Sequence, residues 1–225
     1  DDGSASVETS LEMLDAAWQD GTDALILTPH YAMEYGFDNP KEKIRMLFAE
    51  FKDIVRQEGI PVRLYLGCEF LFSGRESFVE HIDDIALLNQ TNHQLMEFYF
   101  DVEEEDVLDA IDAVKAAGRI PVIAHPERYD CVQSSVTLAE RMVEKGALLQ
   151  NKGSLFRRYG EYAQETVMEL LARRYITFVG SDAHHIRYRT PMMGDAYDLV
   201  SEQFGRSYAD AVFRTNAEKL LGIRI

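Results

Sequence analysis

Basic residues are scarce: 23 Lys and Arg stand against 39 Asp and Glu, leaving a formal charge of -16 over 225 residues. That balance argues against a nucleic acid or an anionic membrane surface held by general electrostatics, although bound cations would invert the field locally. Cysteine is scarcer still. Cys68 and Cys131 are the only two, too few for a disulfide framework, which points to a reducing compartment. Long apolar runs are missing as well: nothing approaches the roughly 20 residues of a membrane span, so no membrane insertion is expected. Secretory or transit signals, internal repeats, low-complexity tracts and linkers rich in Gly, Ser or Pro are also absent from the sequence. Residues 1–225 therefore read as a single domain, and a hydrophobic content of 46% is ample for its core.

What is present is a recurring pattern of short apolar runs that stop on a metal-ligand type of side chain. Ile176-Thr-Phe-Val-Gly-Ser-Asp-Ala-His-His185 is the clearest, an apolar strand followed by a loop with Asp182 and His184. Ala24-Leu-Ile-Leu-Thr-Pro-His30, Arg63-Leu-Tyr-Leu-Gly-Cys-Glu69, Gln94-Leu-Met-Glu97 and Ile120-Pro-Val-Ile-Ala-His125 repeat it. A sixth strand, Ala147-Leu-Leu-Gln-Asn151, ends in amides instead.

Between the strands the apolar spacing turns helical. Ser4 or Ser6 caps a first helix whose apolar face is Leu11, Leu14, Ala17 and Trp18. Pro40 opens a second, with Ile44, Leu47, Phe48, Phe51 and Ile54 on one side, stopped at Gly59. The stretch 71–92 reads as a loop and a short helix. An acidic run from Asp101 to Asp106 begins a helix over 104–117, where carboxylates favour the helix dipole, and Gly118 closes it. Further helices are expected near 136–145, within 157–174, and as two or three pieces over 191–225.

Strands alternating with helices imply a parallel sheet with helices outside. Because the chain opens on a turn and a helix, a seventh strand is expected before Asp1. The pattern fits either a barrel or an open doubly wound sheet; convergence of His30, Glu69, Glu97, His125, Asp182 and His184 favours the barrel, whose strand ends share one rim.

Each donor has a plainer reading: a loop histidine bonding a carbonyl, or a glutamate paired with Arg128 or Arg189. Glu69 and Glu97 resist it, because an ionised carboxylate at the end of a buried strand must be paired or must bind a cation. Oxygen and imidazole donors without thiolates suit Mn²⁺, Fe or Zn²⁺, and carboxylates bridging two or more ions suit hydrolysis. Arg128 and Arg189 leave the same loops and can fork onto a phosphate, with Arg187 as a competitor for the second role. His81, His93 and His185 fall outside the pattern. Neither cysteine heads the Cys-x5-Arg loop of a thiol phosphatase.

Thr28-Pro-His30, Gly67-Cys-Glu69, Glu97-Phe98, Ile123-Ala-His-Pro-Glu-Arg-Tyr129 and Gly180-Ser-Asp-Ala-His184 resemble the motifs of the polymerase-and-histidinol-phosphatase (PHP) superfamily. More narrowly they resemble the bacterial manganese-dependent protein-tyrosine phosphatases of capsule and exopolysaccharide operons. The resemblance implies a distorted seven-stranded β/α barrel of TIM-like form, a centre of two or three metal ions and a cytoplasmic location. It also implies action on the phosphotyrosine-rich tail of a bacterial tyrosine kinase. By position it makes His30, Glu69, Glu97, His125, Asp182 and His184 metal ligands, adds Asp2 from an Asp-Asp-Gly turn, and gives Arg128 and Arg189 to the phosphate. Family members begin with a strand carrying Asp-x-His-x-His, which would lie before Asp1, so the chain is expected to be N-terminally truncated and to lack that first strand. The alternatives are a PHP-type phosphatase for a small monoester such as histidinol phosphate, and a weakly active binding protein if the missing His-x-His is genuine. The sequence leaves the oligomeric state open.

Overall fold

The computed structural model describes residues 1–151, Leu155 and residues 159–224. Six parallel strand positions follow one another in chain order, and the first two are each broken in the middle. β1 (Ala24–Leu27) and β2 (His30–Tyr31) form the first; β3 (Arg63–Leu66) and β4 (Glu69–Leu71) form the second. β5 (His93–Glu97), β6 (Ile120–Ala124), β7 (Leu148–Asn151) and β8 (Ile176–Val179) complete the run. β1 pairs with β3 and β2 with β4, and the ladder continues through β5, β6 and β7 to β8.

Both breaks have local causes. Pro29 has no N–H to give the ladder, yet its carbonyl still accepts from Glu69 N at 3.1 Å. Gly67 is required by close approach: a Cβ there would sit 2.6 Å from Leu88 Cδ2. The offsets turn each strand end so that His30 lies in register with Glu69, and Leu71 with Glu97.

Helices cover the outside of the sheet. α1 (Val7–Gln19) is capped by Ser6, whose Oγ accepts from Thr9 N at 3.2 Å, and it buries Met13, Leu14 and Ala17. α2 (Lys41–Gln57) and α3 (Arg75–His81) follow; α4 (Glu104–Ala116) carries Glu104, Glu105 and Asp106 in its first turn. α4 buries Val107, Ile111 and Val114 completely, each contributing about 1.5–3 kcal/mol of transfer free energy. α5 (Asp130–Ser134), α6 (Thr137–Glu144) and α7 (Glu161–Ala172) precede β8, and α8 (Gly194–Phe204), α9 (Arg206–Asp210), a π-helical turn (Ala211–Thr215) and α10 (Asn216–Leu221) end the chain. The 157–174 helix prediction is met by α7; Arg157 itself lies outside the described residues.

The ladder does not close among the described residues. Among the described residues β8 pairs only with β7 and β1 only with β3. A cavity of about 980 Å³ lies between them, lined by Leu25, Leu27, Phe178 and, from α2, Leu47, Phe48 and Phe51. The predicted apolar face of α2 is therefore only partly covered: Ile44 is buried, Phe48, Phe51 and Ile54 are half-buried and Leu47 is exposed, while Val55, which the spacing leaves off that face, is buried. Across this seam the Asp20 carboxylate, at the end of α1, accepts backbone N–H bonds from Met193 and Gly194 at 2.5 and 2.7 Å. It thereby serves the first turn of α8, and a Cβ at 194 would lie 2.9 Å from Asp20 Oδ1, so a larger residue there would displace the carboxylate.

Candidate metal centre

The strand ends bring the sequence-derived donors into one continuous cluster. His125 Nε2 lies 3.1 Å from Glu69 Oε1 and 3.4 Å from Glu97 Oε2. Those carboxylates face His30 Nε2 at 3.9 Å from Glu69 and 3.6 Å from Glu97. The other imidazole nitrogen of His30 is 3.1 Å from Asp2 Oδ1, which His184 Nε2 approaches at 3.4 Å. His184 Nδ1 is 3.6 Å from Asp182 Oδ1. Two groups of three have donor atoms close enough to surround one ion each: Asp2, His30 and His184, and His30, Glu69 and Glu97.

This donor set fits divalent cations on its own chemistry. Glu69 and His125 are buried and Glu97 nearly so, and their charge needs a positive counterpart. His30 Nδ1 is buried without a well-formed hydrogen bond although Asp2 is 3.1 Å away, an approach without bonding that a shared cation would reconcile. Burial pushes the Asp2 carboxyl up, but His30, His184 and Arg189 outweigh that and hold it below the ordinary aspartate range.

The two arginines differ. Arg189 Nη2 donates to Asp182 Oδ2 at 2.7 Å and its Nη1 is 3.6 Å from Asp2, so here it balances the carboxylates. Arg128 lies over the ring of Phe100 at 4.2 Å and over that of Tyr159 at 4.3 Å. Burial draws its pKa down, with Tyr159 opposing and Arg189 adding to the effect, but a guanidinium remains charged. Arg187 is exposed. Neither Glu69 nor Glu97 takes the plainer arginine pairing; both face histidines.

Strain gathers at the same place. Six non-glycine residues among those described have positive φ, and His125 (34°), Asp182 (45°) and Arg189 (47°) are three of them. Each costs about 1–3 kcal/mol, a cost that persists where the surroundings over-determine the conformation. For His125 the bracing is visible: its N–H donates to Gln150 O at 2.7 Å. The fully buried Tyr129 donates to Ala124 O at 2.8 Å and accepts from Phe98 N–H at 3.2 Å.

Sequence reasoning missed several contributors. Asp1 Oδ2 accepts from His30 N–H at 2.9 Å, and no spacing signal marks it apart from Asp2 beside it. Tyr129 sits in a motif that reads as ligand and arginine only. A second cavity of about 460 Å³ opens onto the cluster, lined by Asp2, His30, Glu97, His125, Arg128 and Arg189 together with Tyr35, Phe37, Tyr99 and Phe100. Its mouth is built from the loop at 31–39 and from 97–101, and of the stretch 71–92 only Leu71 lines it. His81 bonds the Tyr31 hydroxyl, His93 bonds Thr91 and His185 accepts from Arg187 N–H, all outside the cluster. Cys68 is fully buried and burial pushes its thiol up to about 12, which leaves it inert as a nucleophile.

Fold and cluster define an α/β barrel with carboxylate and imidazole donors on the carboxyl-terminal rim of its sheet. One chain from the crystal structures of YwqE from Bacillus subtilis and CpsB from Streptococcus pneumoniae, described as metal-dependent tyrosine phosphatases, matches the fold with a TM-score of 0.88 at 29% identity, over 100% of this chain and 91% of that one. The chain belongs to the CpsB/CapC family of capsular polysaccharide synthesis, which matches residues 1–222. Tyrosine-protein phosphatase YwqE of Bacillus subtilis is 31% identical over 222 residues, covering 98% of this chain and 87% of that one. Tyrosine-protein phosphatase CpsB of Streptococcus pneumoniae is 25% identical over 227 residues, covering 98% and 93%. An adenine deaminase from Arthrobacter aurescens, at 14% identity and a TM-score of 0.54 over 96% and 77%, shares the fold alone. The family agrees with the resemblance carried by the sequence motifs.

Proposed function

We propose that this protein is a metal-dependent protein-tyrosine phosphatase of capsular or exopolysaccharide synthesis. Its substrate is the phosphotyrosine-rich tail of a bacterial tyrosine kinase, its ion is Mn²⁺ with Fe or Zn²⁺ as substitutes, and it works in the cytoplasm. The observation that carries this reading is the joining of Asp2, His30, Glu69, Glu97, His125 and His184 in one cluster beside Arg128. The names of its relatives supply the substrate class. Both cysteines are free thiols, in keeping with a reducing compartment.

Asp2, His30 and His184 would hold one ion and His30, Glu69 and Glu97 its neighbour, with His125 beside the two glutamates and Asp182 beside His184. Bound there, divalent cations supply Lewis-acid polarisation of phosphoryl oxygens and lower the pKa of water. The chain's own part is to bind and orient. Arg128, stacked on rings and drawn from solvent, offers its planar fork to two phosphoryl oxygens at the cavity wall. Arg189 holds Asp182 and Asp2 in place and adds positive charge on the same side. Tyr129 fixes the backbone from which His125 projects. Hydrolysis breaks the bond from phosphorus to the aryl oxygen and forms one to a water oxygen, and a phenolic leaving group needs less protonation help than an alkoxide.

The test is phosphate release from phosphotyrosyl peptide and from histidinol phosphate by metal-stripped protein given back Mn²⁺. Mn²⁺-dependent, vanadate-sensitive turnover of the peptide is expected. Preferential turnover of histidinol phosphate would replace the substrate, and activity unaffected by chelation would overturn the metal reading.

A further inference from the structure

Two exposed tyrosines stand at the mouth of the smaller cavity, where large aromatic rings have no packing reason to face water. Tyr35 comes from the loop after β2 and is 58% exposed; Tyr99 comes from the loop after β5 and is 38% exposed. They meet edge to face, with ring centroids 6.1 Å apart. Behind Tyr35, Phe37 lies 6.4 Å away and reaches inward to the His30 ring at 5.9 Å. Across the cavity Phe100 packs against both His125 and Arg128. The cavity therefore joins donors and arginines to aromatic faces in one lining.

We infer that Tyr35 and Tyr99 form a platform for the aromatic ring of an aryl phosphate, and so set the preference of the site for phosphotyrosyl over alkyl phosphates. An aryl ring is carried on the phosphate it esterifies, so seating the phosphoryl group beside Arg128 sets the ring against the surface that Tyr35 and Tyr99 present. A seryl phosphate offers no ring and forgoes the contact. The inference rests on the tyrosine-phosphatase reading for its substrate class.

Titration calorimetry on the Mn²⁺-loaded chain separates the two ideas, with phenylphosphonate and methylphosphonate as probes that cannot turn over. The preference for phenyl over methyl should fall about three- to tenfold in Tyr35→Ala and in Tyr99→Ala, the scale of one aromatic contact, and persist in Tyr99→Phe. Tyr35→Leu keeps bulk without a ring and should lose it too. The same variants should lose discrimination between phosphotyrosine and phosphoserine in kcat/KM, chiefly through KM. An unchanged phenyl preference in both alanine variants, with unfolding temperatures equal to the parent's, overturns the platform even if phosphotyrosine is hydrolysed. Loss of that preference in a protein that hydrolyses neither ester retains the platform and overturns the phosphatase reading.

Discussion

The candidate centre has two unlike halves. Glu69, Glu97 and His125 project from strand ends and are largely shielded from solvent. Asp2, His184, Asp182 and Arg189 come from the chain start and the long segment after β8, and Asp2 is 48% exposed at its side chain. His30 touches both. The strand half is fixed by the sheet register, since His30 lies opposite Glu69 and Leu71 opposite Glu97. The loop half is fixed by its own charges, Arg189 reaching Asp182 and Asp2. Precision in the first is a product of backbone pairing; in the second it depends on occupancy and electrostatics.

Substitutions can break that contrast. Glu69→Gln should have the largest effect, exceeding the roughly 100-fold typical of an outer-shell partner, because a buried position has no water to replace the lost donor. Asp2→Asn, at an exposed position, should cost less, and metal analysis should register loss of one ion rather than all. Equal losses in turnover and in bound metal would erase the distinction between the halves. Arg128→Lys should lower kcat/KM for an aryl phosphate about 100-fold, since a point charge can neither fork onto two oxygens nor stack on Phe100. Near-normal kinetics in that variant would mean Arg128 serves packing alone.

Tyr129→Phe sharpens the comparison from beneath. It leaves Phe98 N–H and Ala124 C=O without their buried partner, at a cost of about 1–3 kcal/mol, so the melting temperature should fall by several degrees. The loss should appear as weaker metal binding at the strand half, through His125, and hardly at the loop half. The smallest expected effect is that of iodoacetamide at pH 8. The Cys68 thiol, raised to about 12 by burial, stays protonated there and unreactive, and burial also raises that of Cys131. Rapid inactivation would place a thiol in the chemistry and count against a metal mechanism.

The strand half was legible in the sequence because each candidate donor terminates an apolar run, and in a parallel sheet run and donor fold as one unit. Helix boundaries such as Glu104–Ala116 were legible for a similar reason, being marked by local acidic and glycine signals. The interruptions at Pro29 and Gly67 were not, because an apolar run reads the same whether its ladder is continuous or offset. Nor was the role of Arg189. Spacing offers it to a phosphate, and the structure adds a 2.7 Å donation to Asp182 that no spacing announces. The mouth was not legible, because Tyr35, Tyr99 and Phe100 lie outside the apolar runs and meet only in space. Side chains that meet across loops leave no periodicity to find.

At the seam between β8 and β1, Asp20 joins parts of the chain 173 and 174 residues apart. One carboxylate thus acts as a buckle on a belt that the sheet itself does not fasten. When it is unfastened, the early helices and the late ones should part before the central strands do, so amides near 193–194 should exchange with deuterium ahead of those in β5 and β6.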